Sequence, residues 1–129
     1  MNYKQTVSLV KKIILENDPP RQIITILVFG SFAQGNIDVH SDLDILIIHS
    51  SRTRQEYTNV LNFAHTLCIN TEKCLGRLVD IFFINSHLLS FTLEHLHIYL
   101  LESFQNSIIV YGKNIECSGS IRELDDKKD

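Results

Sequence analysis

Cysteine is scarce: Cys68, Cys74 and Cys117 are the only three in 129 residues. Their number is odd and no pair has the C-x-x-C spacing of zinc or redox sites, so reduced thiols are expected. Long apolar runs are missing too. None approaches the roughly 18 residues that a membrane span needs, and Met1-Asn2-Tyr3-Lys4 leads into an amphipathic segment rather than a signal peptide. The expectation is a cytoplasmic protein with no membrane association. Nor is there an excess of basic residues, since 12 Lys and Arg face 15 Asp and Glu for a formal charge of -3. Without a broad basic field, strong direct binding to a long nucleic acid is not expected, whereas a mononucleotide handled through metal ions needs no such field. Internal repeats and low-complexity segments are also absent.

What remains is an ordinary globular composition, 44% hydrophobic and 21% charged, of a length that suits one core. Val7, Val10, Ile13 and Ile14 recur at helical spacing between Tyr3 and Asn17, with Lys4, Lys11, Lys12 and Glu16 on the other side. Asn17-Asp18-Pro19-Pro20 ends that helix, because proline lacks the amide donor and restricts its predecessor. Ile23 to Phe29 and Leu43 to Ile48 are short β-branched runs, predicted as strands. Thr53 to Leu67 is predicted as a helix, Arg77 to Ile84 as a third strand, Ser86 to Gln105 as the longest helix and Ile108 to Tyr111 as a short last strand. The order implies an α/β (α+β) domain over residues 1–113, a small mixed sheet flanked by helices. The sheet is mixed because the stretch between the first two strands is too short for a helical crossover. Residues 114–129 have little to bury and are expected to form a flexible tail.

Chemistry concentrates in a few side chains. Asp42 and Asp44 bracket Leu43 at the head of a strand, so both carboxylates point the same way. Like charges so close are unfavourable unless compensated, and carboxylate oxygens without nearby His or Cys suit magnesium or manganese better than zinc. Taken alone, the pair reads rather as exposed turn aspartates with Ser41-Asp42 capping a turn. Asp80 is the one charge inside Leu78-Val79-Asp80-Ile81-Phe82-Phe83-Ile84, where a buried lone carboxylate would be costly. A third strand lying beside the second lets Asp80 complete a three-carboxylate cluster for two-metal chemistry. A strand-end aspartate facing solvent, or paired with Arg77, is the other reading. Gly30-Ser31, at a strand end, offers close backbone approach and amide donors to a phosphate, with the Ser31 hydroxyl in addition.

Gly30-Ser31, ten residues, then Asp42-Leu43-Asp44 resembles the GS-x10-D-x-D signature of DNA polymerase beta-like nucleotidyltransferases. From average residue usage the constellation arises by chance in roughly one chain in a thousand of this length, so the spacing is the specific signal. Phe29-Gly30-Ser31-Phe32-Ala33-Gln34-Gly35, Ser41-Asp42-Leu43-Asp44-Ile45 and Val79-Asp80-Ile81 are similar to the minimal nucleotidyltransferases, or MNT proteins, from the first helix to about Gly112.

That resemblance implies a catalytic and metal-binding set of Asp42, Asp44 and Asp80, with Gly30 and Ser31 binding the nucleotide. It implies two Mg2+ ions with the bound nucleotide, manganese being the alternative, and ATP or another nucleoside triphosphate as donor. In-line attack of an acceptor hydroxyl on the α-phosphate then releases pyrophosphate. It further implies a partner, a small helical HEPN toxin that the antitoxin modifies on a tyrosine with AMP, and it is compatible with an oligomer. One departure is Gln34, where the family often carries arginine; Arg52, Arg54 and Lys73 are candidates to replace that charge. Two other functions stand beside this one: an antitoxin that neutralises by binding alone, and transfer to a small molecule, which usually needs a longer chain. His95 and His97 lie two apart on a helix and do not face one another, so solvent or interface positions are favoured roughly four to one over a metal site. His40 is a loop histidine beside the motif, and Tyr99 and Phe104 read as core or interface residues.

Overall fold

The computed structural model describes residues 3–30, 42–88 and 107–112. Within them the chain runs α1 (Tyr3–Glu16), β1 (Ile23–Phe29), β2 (Leu43–His49), α2 (Arg54–Leu75), β3 (Val79–Asn85), a 3-10 turn at Ser86–Leu88, and β4 (Ile108–Gly112). The strands form one sheet in the order β3-β2-β1-β4. β1 runs antiparallel to both β2 and β4, while β2 and β3 are parallel. The expected mixed α+β architecture is therefore found: the short link after β1 permits only an antiparallel return, and α2 supplies the crossover a parallel pair requires.

α1 turns Val10, Ile13 and Ile14 into the core and leaves Lys11, Lys12 and Glu16 in solvent. It stops where expected. Asn17 Nδ2 donates to the Ile13 carbonyl at 2.7 Å, Asp18 adopts a left-handed φ of 55°, and the two prolines follow. α2 begins at its N-cap Thr53, whose hydroxyl accepts the Glu56 amide at 3.1 Å. It runs eight residues beyond the expected end at Leu67, to Leu75. The apolar stripe thins there, but Thr71 is buried, Cys68 is half-buried, and nothing breaks the helix before Gly76. Gly76 takes the left-handed conformation and returns its amide to the Glu72 carbonyl at 2.9 Å. Consequently β3 starts at Val79 rather than Arg77. The long helix expected over Ser86 to Gln105 lies outside the described residues except for the 3-10 turn at its start, as does the expected tail.

Both helices cover the same face of the sheet. Val10, Ile13 and Ile14 of α1 and Val60, Phe63, Ala64 and Leu67 of α2 form one cluster with Ile26, Val28, Leu43, Ile45, Ile47 and Val79. Burying each such side chain is worth about 1.5–3 kcal/mol. Slipping β2 by one residue would expel Leu43, Ile45 and Ile47 and drive Asp44 into that cluster. The core thus fixes which face the Asp44 carboxylate occupies: the one turned away from α1 and α2. No helix among the described residues is long and apolar enough to cross a membrane.

Candidate active site

Asp44 is the second residue of β2, half-buried, and stands directly opposite Asp80, the second residue of β3. Neighbouring strands lie about 4.8 Å apart, and residues in register on parallel strands share a sheet face, so the two carboxylates are side by side. On the other flank, Asp44 pairs with Phe29 of β1. The chain then turns at Gly30 with φ +76°, and a Cβ there would sit 2.5 Å from Asp44 Oδ2. Only glycine lets the backbone pass over the carboxylate so closely. Asp42 precedes β2 and is exposed.

Electrostatics link these groups. Burial, then the charge of Asp80, then that of Asp42 push the Asp44 carboxyl above its ordinary value of 3.8. All three influences act in one direction, and a divalent cation is the natural compensation. Among the described residues no three His, Cys, Asp or Glu side chains converge tightly enough to enclose an ion. The donors nonetheless fit magnesium, which binds through one or two carboxylates completed by substrate phosphates and water rather than through a protein cage.

Of the two readings left open for Asp80, the structure shows the exposed one, since β3 is the edge strand of the sheet. Its significance comes from its register with Asp44 and not from a desolvation cost. Ser31, Gln34, His40, His95, His97, Tyr99 and Phe104 lie outside the described residues. Of the cations considered as replacements for the family arginine, Arg52 and Arg54 are at the wrong end of the sheet, beyond the carboxyl end of β2, whereas Asp44 is at its amino end. Lys73, in the last turn of α2, lies where β3 begins.

Two further features escaped the sequence reading. Glu72 Oε2 accepts the Val79 amide at 2.9 Å, pinning the start of β3 beside Asp80. Phe82, two residues beyond Asp80 on the same face, is 49% exposed and meets Phe29 edge-on at 5.5 Å. Period-two alternation from Asp80 was the signal for Phe82; Glu72 had none, since it depends on where α2 ends.

The family model for the nucleotidyltransferase domain matches residues 7–111. No curated protein sequence matches the chain significantly. A solved structure of a mutant MntA-HpeT toxin-antitoxin complex is similar at 15% identity, with 99% of this chain and 87% of that chain covered and a TM-score of 0.56. A toxin-antitoxin structure with AMP-PNP is similar at 16% identity, covering 92% and 86%, with a TM-score of 0.55. A tri-AMPylated Shewanella oneidensis HEPN toxin in complex with MNT antitoxin gives 13% identity, 98% and 89% coverage, and a TM-score of 0.51. At such identities the likeness is one of fold.

Proposed function

The chain belongs to the nucleotidyltransferase domain family, and from that premise we propose that it is a magnesium-dependent nucleotidyltransferase and the antitoxin of a HEPN toxin. It transfers AMP from ATP to a tyrosine hydroxyl of that toxin. The observation that carries this reading is the in-register pairing of Asp44 with Asp80 beneath Gly30. Asp42, Asp44 and Asp80 would hold the metal ions. Magnesium bound there supplies charge to the phosphates and lowers the pKa of the attacking hydroxyl.

The chain's own groups do the rest. Gly30 brings its backbone, and Ser31 its hydroxyl, to the triphosphate. Asp80, exposed on the edge strand, faces the incoming acceptor and receives its proton. The acceptor oxygen bonds to the α-phosphorus as the bond to the β-phosphate oxygen breaks, and pyrophosphate leaves. Phe82 and Phe29 present an apolar edge beside the carboxylates on which an aromatic acceptor side chain can rest. Support for the partner comes from the similarly folded complexes with AMP-PNP and with an AMPylated HEPN toxin. One similarly folded mutant complex carries two Asp-to-Glu changes at the same two-residue spacing as Asp42 and Asp44.

Gln34, in place of the family arginine, favours a second reading in which the protein neutralises its toxin by binding alone. Growth rescue separates the two. Under the transfer reading Asp44→Ala fails to rescue cells expressing the toxin while still folding; rescue equal to wild type would establish neutralisation by binding.

A further inference from the structure

The far end of the same parallel pair has a different chemistry. β2 and β3 finish at His49 and Asn85, which are in register, and α2 starts immediately after. Five residues of strand separate His49 from Asp44, about 17 Å along β2. His49, Ser51, Arg52, Thr53, Arg54, Tyr57, Phe83 and Asn85 surround a cavity of about 410 Å3 there. In open α/β sheets ligands settle in the crevice beyond the carboxyl ends of parallel strands, and this cavity occupies that place for β2-α2-β3.

Its walls define a ligand. Arg52 and Arg54 are exposed, and neither forms an ion pair among the described residues. Glu56 does not line the cavity; its carboxylate accepts the Arg52 amide at 2.8 Å and Gln22 Nε2 at 3.5 Å. Ser51 is 7% exposed, yet its hydroxyl has no hydrogen-bond partner among the described residues, an omission that ordinarily costs about 1–3 kcal/mol. Tyr57 stacks on His49 at 5.3 Å and meets Phe83 edge-on, but keeps 40% of its surface exposed. His49 is a neutral aromatic wall rather than a third cation, because its Nδ1 accepts the Ser51 amide at 3.3 Å and burial lowers its pKa.

We propose that this cavity is a second binding site, separate from the carboxylates, for a small aromatic anion of nucleoside monophosphate type. Arg52 and Arg54 grip the phosphate, and the base stacks on Tyr57. The inference does not depend on the transfer reaction. AMP titrated into the full chain in EDTA, followed by two-dimensional NMR and calorimetry, tests it, since metal-dependent nucleotide binding at Asp42 and Asp44 is then suppressed. Adenosine and inorganic phosphate form parallel arms. AMP should perturb Ser51, Arg54 and Tyr57, and should bind Asp44→Asn as tightly as wild type. It should bind the double variant Arg52→Gln/Arg54→Gln about tenfold more weakly. Perturbations confined to Gly30, Asp42 and Asp44, an arginine variant that is folded by its thermal melt and binds unchanged, or phosphate binding as tightly as AMP would each overturn the proposal.

Discussion

The two ends of the β2-β3 pair are built from adjacent stretches of the same strands yet hold opposite charge. At the amino ends, Asp44 and Asp80 stand in register with Asp42 nearby, and burial, then the charges of Asp80 and Asp42, raise the Asp44 pKa. At the carboxyl ends, Arg52 and Arg54 frame an aromatic cluster, and Thr53 and Glu56 cap the helix that follows. The contrast separates two ligand chemistries, one for cations and one for an anion. The basic end is knitted together by caps and stacked rings, while the acidic end keeps a conflict that a bound cation would relieve. Such local inconsistency is what functional sites leave in an otherwise self-consistent fold.

Substitutions at either end can break this comparison. The largest effect is expected for Asp44→Ala, which should lower the transfer rate by more than the roughly 100-fold that follows loss of an outer-shell metal partner, with thermal stability preserved. Gly30→Ala comes next. Its left-handed φ should cost about 1–2 kcal/mol in denaturant titration, and its new methyl group, built 2.5 Å from Asp44 Oδ2, should displace that carboxylate and depress transfer as well. At the opposite end Thr53→Ala should cost about 1 kcal/mol by removing the α2 N-cap, measured by the same titration.

Smaller effects sharpen the picture. Phe82→Ala, at a half-exposed position, should cost about 1 kcal/mol or less while raising KM for the protein acceptor more than KM for ATP. The smallest is electrostatic. The folded-state pKa of Asp44 is raised, so the folded form binds more protons and metal-free stability should fall as pH rises from 3.8 through that raised value. The pH dependence of the melting temperature should be flatter across that window in Asp44→Asn, and an equally steep profile would mean that the carboxylates do not interact.

Much of this was legible in the sequence, for identifiable reasons. β1 and β2 could be read almost to the residue because their β-branched runs are bounded by Pro20, Gly30 and the Asp42 region. Asp44 and Asp80 could be paired because a short link and a helical crossover leave few arrangements of three strands. The length of α2 was misread because its last two turns, Cys68 to Leu75, carry too few apolar residues to show a stripe. Whether Asp80 is buried or exposed stayed open in the sequence because an apolar run does not reveal whether its strand is central or at the edge. The cavity beyond His49 went unnoticed because it gathers residues from β2, β3 and the start of α2 whose proximity only the crossover creates.

The account turns on the carboxylates directing nucleotidyl rather than phosphoryl transfer. The direct measurement incubates the protein and the proposed HEPN toxin partner with magnesium and ATP labelled at either the α- or the γ-phosphate, for wild type and Asp44→Asn. The account predicts that the α-label alone reaches the toxin, and only with the wild-type protein. Transfer of the γ-label, or equal α-labelling by Asp44→Asn, would contradict it.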